Sequence, residues 1–359
     1  MGNATEDLVR QKLSTVKDPE LHKDIVSLDM VKQVAVRDGV VDIHIELTSP
    51  ACPLKDEIQR DVEQAVLQLD GVSKVSIEWS ARVRSSRPGA AALPQVKNIV
   101  AVGAGKGGVG KSTAAVMLAY GLSRSGATVG LMDADVYGPS IPTMTGVEGE
   151  TPRIVNDMME PPVAGGVKIM SIGFMIDRNK PIIWRGPMTH GVVKQFIEQV
   201  NWGPLDYLIV DLPPGTGDVP LSLAQSIPLT GAVVICTPQD IALLDARRAV
   251  LMYRQLNVPC LGIIENMSYY LCPSCGHRDE LFDHGGAARA AEELGVPFLG
   301  EIPLNASVRE YSDAGTPVRS FEDAPDFVAK AVQGVVEATA GQISIKSEEQ
   351  AEAPTLTIE

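Results

Sequence analysis

Three groups of residues in this sequence have the types and spacing for chemistry. The first is Gly105-Lys-Gly-Gly-Val-Gly-Lys-Ser-Thr113, which satisfies G-x-x-x-x-G-K-S from Gly105 to Ser112. Glycines at this spacing let successive backbone N–H groups turn inward around phosphate oxygens. Gly105, Lys106, Gly107, Gly108, Val109 and Gly110 therefore read as a phosphate-cradling loop. Lys111 is placed to reach β- and γ-phosphates, and Ser112, followed by Thr113, to ligate Mg²⁺. The second group is carboxylates. Asp133 and Asp135 follow the apolar run Val129-Gly-Leu-Met132, and Asp211 follows Tyr207-Leu-Ile-Val210. Asp211 has the Walker B form and is expected to hold Mg²⁺ through water. Asp135 is the candidate for orienting an attacking water; Asp133 either supports that loop and the Mg²⁺ shell or caps the next helix. The third group is Cys272-Pro-Ser-Cys275. Two thiolates at this spacing can clamp one metal ion or one edge of a cluster.

The elements that must position these groups are legible from pattern. An apolar run, Asn98–Val102, enters the glycine loop and a run of helix formers, Thr113–Leu122, leaves it. That is the strand–loop–helix context such a loop requires, with the helix N-terminus aimed at the same anion. Further unbroken apolar runs, Ala232–Cys236 and Cys260–Ile264, fit strands covered on both faces of a parallel sheet. The expected fold class is α/β: a doubly wound, mostly parallel sheet of the P-loop NTPase type, over residues 97–338, preceded by a small α+β domain over residues 1–84. That first domain reads α-β-β-α-β, with a hairpin turn at Asp38-Gly39 and Cys52 at a strand-to-helix junction. Residues 85–96, rich in Ser, Pro, Gly and Ala, read as a linker. Residues 339–359, polar and acidic, read as a disordered tail. Between the carboxylate loops, Met158–Met175 reads as a hairpin insertion turning at Gly165-Gly166, and Ile183–Met188 as the approach to a helix. Cys236 and Cys260, inside or at the edge of apolar runs, read as structural.

The second lysine of the loop, Lys106, makes the sequence resemble the deviant Walker A ATPases, which include MinD, ParA, ArsA and the nitrogenase iron protein. The resemblance implies a homodimer around ATP in which Lys106 reaches the nucleotide of the other subunit. It also implies that Asn266, in Glu265-Asn-Met267, hydrogen-bonds adenine. The N-terminal unit, through Asp18-Pro-Glu20 and Thr48…Cys52-Pro53, resembles the SufT-related metal–sulfur cluster assembly domain. Taken with Asp133-Ala-Asp-Val-Tyr-Gly-Pro-Ser140, Trp184-Arg-Gly-Pro-Met188, Asp211-Leu-Pro-Pro-Gly-Thr-Gly-Asp218 and Cys272-Pro-Ser-Cys275, the chain is similar to the Mrp/ApbC-type iron–sulfur cluster carriers. The resemblance implies a labile [4Fe–4S] cluster held at the dimer interface, passed from scaffold proteins to apo client proteins under control of ATP. Cluster and structural zinc sites want about four protein ligands. No second C-x-x-C exists in the chain, so two copies supplying two cysteines each across a two-fold axis is the simplest completion. Slow hydrolysis is expected, since no arginine finger is evident.

Composition narrows the rivals. The formal net charge is −14 and aromatic content is 4%, which disfavour a nucleic-acid partner. No apolar run approaches a membrane span, and the first residues precede no signal-peptide core; the expectation is a cytoplasmic protein with no membrane partner. Five cysteines without an export signal fit reduced thiols or metal ligands. Two alternatives stay open on the residues. One is a MinD/ParA-type switch in which His277 and His284 complete a one-chain zinc knuckle with Cys272 and Cys275. The other is a non-hydrolysing nucleotide-binding scaffold.

Overall fold

In the computed structural model, which describes residues 4–85, 93–175 and 186–352, the chain divides into two compact units, Met1–Arg84 and Ser85–Glu359. Trp184 and Arg185, most of the expected linker and the last seven residues of the expected tail lie outside the described residues.

The first unit runs α1 (Glu6–Leu13), β1 (Val31–Arg37), β2 (Val40–Leu47), α2 (Lys55–Leu67) and β3 (Lys74–Ala81). The hydroxyl of Thr5 caps α1 by accepting from the Leu8 amide at 3.3 Å. β1 and β2 pair antiparallel around Asp38 and Gly39, both at positive φ, as a two-residue hairpin turn demands. β3 then returns parallel to β2. Alternate residues of β2 (Val41, Ile43, Ile45) meet Ile58, Val62 and Val66 of α2, at helical spacing, and Val9 and Leu13 of α1.

The second unit begins with β4 (Val96–Gly103), α3 (Lys111–Arg124), β5 (Val129–Asp133) and the short α4 (Ile141–Met144). Two hairpins come next: β6 (Arg153–Val155) with β7 (Met158–Glu160), and β8 (Val163–Ala164) with β9 (Val167–Ser171). After them run α5 (Gly186–Glu198), β10 (Leu205–Asp211), α6 (Asp218–Ser226), β11 (Gly231–Cys236), α7 (Asp240–Gln255), β12 (Cys260–Leu271), β13 (Arg278–Asp279), α8 (Gly286–Leu294), β14 (Phe298–Leu304), α9 (Ala306–Asp313), α10 (Arg319–Glu322) and α11 (Asp326–Glu352). The sheet order is β13-β12-β11-β4-β10-β5-β9-β8, with β14 also on β12. All its pairs are parallel except the edge hairpins β12/β13 and β8/β9. Val100, Ala101 and Val102 of β4 are fully buried, as a strand covered by helices on both faces must be. β4, β10 and β5 lie side by side, so the loop after β4 and the aspartates ending β5 and β10 share one edge of the sheet.

The hairpin expected within Met158–Met175 turns at Gly165-Gly166, both at positive φ, and its second strand, β9, also joins the main sheet parallel to β5. One expectation is corrected. Helix α11 does not stop at residue 338. It continues to Glu352, because Val336, Ala340, Ile343 and Ser347 carry a buried stripe at i, i+4, i+7 and i+11 through the polar sequence.

Candidate nucleotide site and cysteine hairpin

The glycine loop is shaped by close approaches rather than by composition alone. Gly108 and Gly110 sit at φ +80° and +82°, a left-handed conformation that side chains resist. Gly110 is the cap of α3, and a Cβ there would fall 2.1 Å from the Asn266 amide nitrogen. A Cβ on Gly105 would fall 2.1 Å from the Asp245 carbonyl of α7, so the loop lies directly on that helix. The loop after β10 closes the other side, with the Gly215 amide donating to the Ala104 carbonyl at 2.8 Å.

The side chains expected to do the chemistry converge. Lys111 Nζ donates to Asp211 Oδ1 at 2.5 Å, lies 3.2 Å from Ser112 Oγ and is 3.5 Å from Asp135 Oδ2. Ser112 Oγ donates to the second oxygen of Asp211 at 2.6 Å. Asp133 accepts from the Asp135 amide at 3.1 Å and from the Ser171 hydroxyl at 2.8 Å. It therefore ties the start of the Asp135 loop to the neighbouring strand β9. Burial pushes the Asp133 carboxyl up to about 8, with the neighbouring Asp211 charge adding; burial raises Asp211 too, against the pull of Lys111. Asp135 Oδ1 is buried with no hydrogen-bond partner among the described residues. An orphaned carboxylate oxygen beside Lys111 suits a site that receives a magnesium nucleotide and its water. Gly107, Gly108 and half-buried Lys106 face outward, and Thr113 lies on the first turn of α3. Lys106 has no hydrogen bond or ion pair among the described residues. Asn266 donates to the Val109 carbonyl at 2.8 Å, a contact to the loop itself that the sequence did not indicate.

The cysteine pair lies in the turn between β12 and β13. The Cys272 amide donates to the His277 carbonyl and the Gly276 amide to the Cys272 carbonyl, both at 2.9 Å, with Gly276 at φ +72°. Cys272 is half-buried and Cys275 exposed. The backbone amides of Ser274 and Cys275, and the Cys275 side chain, hold the Cys272 thiol below its usual range, which favours the thiolate that binds metal. Burial instead pushes Cys236 up to about 12 and Cys260 to about 11, in keeping with structural roles.

Sequence reasoning missed a polar cluster beside this hairpin. His284 Nδ1 lies 3.2 Å from Ser268 Oγ and 3.4 Å from Glu301, and the buried Glu265 is part of the same group. Arg278 reaches both ring nitrogens of His284 and stacks 3.9 Å over the Tyr269 ring. No trio of metal-ligating side chains that includes Cys272 or Cys275 comes together among the described residues. The His284 ring is instead engaged with Ser268, Glu301 and Arg278.

Residues 95–340 match the family described as NUBPL iron-transfer P-loop NTPase. The chain belongs to this family. Residues 6–79 match a second family, described as iron-sulfur cluster assembly protein. The iron-sulfur cluster carrier protein of Synechocystis is 47% identical over 348 residues, covering 95% of this chain and 98% of that protein. Those of Deinococcus radiodurans and Escherichia coli K12 are 48% and 40% identical, over 95% and 91% of this chain and 96% and 89% of theirs. Among solved structures, a nucleotide-binding protein of Archaeoglobus fulgidus in complex with ADP is 38% identical, with a TM-score of 0.58 over 65% of this chain and 91% of that one. The cell division ATPase MinD of Pyrococcus furiosus, at 20% identity, a TM-score of 0.50 and coverage of 67% and 97%, shares the fold. The family and fold expected from the motifs are those found, and no helix among the described residues is long and apolar enough to cross a membrane.

Proposed function

We propose that this chain is an iron–sulfur cluster carrier that binds a [4Fe–4S] cluster between two copies of itself, through Cys272 and Cys275 of each, and passes it to apo proteins under control of ATP. One observation carries the reading. The nucleotide site is assembled within one chain, whereas the cysteine pair is half of a ligand set, with two thiols on an accessible turn and no third ligand among the described residues. The names of the relatives, all iron-sulfur cluster carrier proteins, support the same cargo.

The residues take these roles. Backbone amides of Gly105–Gly110 and the N-terminus of α3 bind the phosphates. Lys111 would reach the β- and γ-phosphates, and Asp211 and Ser112 would hold Mg²⁺. The metal supplies charge neutralisation at the phosphates. Asp135 orients the attacking water, and its position is fixed through Asp133 and Ser171. Lys106, which has no acid partner among the described residues of its own chain, reaches the nucleotide of the second copy; Asn266 adds a hydrogen bond to adenine. Hydrolysis is slow because no arginine finger is evident in the sequence to add to these groups. Clusters arrive from scaffold proteins and leave to client proteins in the cytoplasm.

Anaerobic reconstitution with iron and sulfide tests this. The expected result is about four irons and four sulfides per dimer, with broad visible absorbance. Colourless protein with one zinc per chain would replace the carrier reading by a nucleotide switch with a metal knuckle.

A further inference from the structure

Strand β12 touches the nucleotide loop in its middle and carries the cysteine turn at its end. Asn266 donates to the Val109 carbonyl at 2.8 Å and presses on Gly110. The next residue, Met267, places its terminal carbon 4.0 Å from the Cβ position of Gly110. Six residues after Asn266 comes Cys272.

The stretch between is irregular in a specific way. Met267 has φ +56°, the left-handed region, with a long side chain in place of the usual glycine or asparagine. The pairing with β14 breaks there: Asn266 faces Ile302 and Tyr270 faces Leu304, so four steps along β12 oppose two along β14. Two extra residues are packed into the strand as a bulge, and a bulge re-aims the chain on its far side. Beyond the bulge the turn is tied into one piece. Ser268, fully buried, donates towards Glu265 at 2.6 Å and Glu301 at 3.0 Å. The Tyr269 ring lies under the Arg278 guanidinium, and Leu271 pairs with Arg278 across the hairpin. A shift at Gly110, where phosphate binds, therefore meets a strained, slack segment before it meets the thiols.

We propose that the Met267–Ser268 bulge is the positioning element that couples the nucleotide loop to Cys272 and Cys275, so that the exposure of the thiols depends on the nucleotide bound. This rests on the reading of the glycine loop as the nucleotide site and of the two cysteines as cargo ligands. Strain at Met267 sets a bias between two arrangements of the bulge, and contact with Gly110 lets the nucleotide shift that bias. Met267 and Ser268 touch neither phosphate nor cargo; they act through Gly110 and through the hairpin.

The experiment is iodoacetamide alkylation of Cys272 and Cys275 in the iron-free full-length chain, resolved by peptide mass spectrometry. It compares no nucleotide, Mg²⁺–ADP and a non-hydrolysable Mg²⁺–ATP analogue. In the wild type the rates differ between states by about fivefold or more. Met267→Gly, which removes the strain, and Ser268→Ala, which cuts the tie to Glu265 and Glu301, each bring that ratio close to one while ADP affinity, measured by calorimetry, stays as in the wild type. Equal alkylation of the wild type in all three states overturns the proposal, and so do variants that both keep the wild-type ratio. Iron loading of the same preparations reads the carrier function separately, since alkylation requires no cluster.

Discussion

The nucleotide loop and the cysteine hairpin differ in how far one chain completes them. Around the loop, a hydroxyl and two carboxylates lie within 3.5 Å of Lys111 Nζ, and the ion pair at their centre is buried. At the hairpin two thiols stand on a turn whose other residues are exposed. A buried polar site has to satisfy its own groups, because water cannot. An accessible pair of thiols has no such obligation and is free to share its ligand with another molecule. The first arrangement suits a ligand that the chain keeps; the second suits one that it gives away.

The comparison can be broken at its strongest point first. Lys111→Ala leaves the Asp211 carboxylate buried without its cation. It should cost about 3–5 kcal/mol in stability, seen in denaturant unfolding, and reduce ATP turnover to background. Wild-type turnover in that variant would remove Lys111 from the site. Cys272→Ala or Cys275→Ala should do the reverse: the iron content of reconstituted protein drops to near zero while ATP binding and stability hold, because neither thiol supports a core. Cluster occupancy equal to wild type would end the assignment of these thiols. Lys106→Ala is the test of the boundary between the two regions. It should slow hydrolysis on the order of 10²-fold with nucleotide affinity of the single chain little changed, read from steady-state turnover against calorimetry.

A smaller effect comes from Asp133. Its carboxyl ionises near 3.8 in an unfolded chain and is pushed up to about 8 when buried beside Asp211. Between those values the native state holds more protons than the unfolded state. Stability of the nucleotide-free protein therefore falls as pH rises through that window and is highest at its acid end. Unfolding midpoints measured from pH 5 to pH 8 should decline, and Asp133→Asn should flatten the curve. A midpoint that climbs with pH contradicts burial as the cause.

The core of the nucleotide site was legible because its signal is local. The strand, glycines and helix around Lys111 are contiguous, and Asp211 announces itself after four apolar residues. Asp133 was only half legible: its identity was clear, but its tie to Ser171 depends on β9 joining the sheet beside β5, a pairing no local pattern encodes. The same holds for Asn266, whose bond to Val109 spans 157 residues of sequence, and for the cluster of Glu265, His284 and Glu301, drawn from three separate elements. The end of α11 was hidden for a different reason. Its serines and glutamates lower the average hydropathy, yet the helical spacing of Val336, Ala340, Ile343 and Ser347 is present in the sequence.

That last helix also bears on how the chain is made. Gly121 of α3 has no room for a Cβ because Val336 of α11 sits 2.4 Å from that position, and Ser347 Oγ reaches Asn98 of β4 across 249 residues. The first strand and first helix of the second unit thus wait for the last helix to cover them. At about 5–20 residues per second of synthesis, the wait is on the order of tens of seconds. For that time the strand that leads into the glycine loop lacks the cover that α11 gives it in the finished fold.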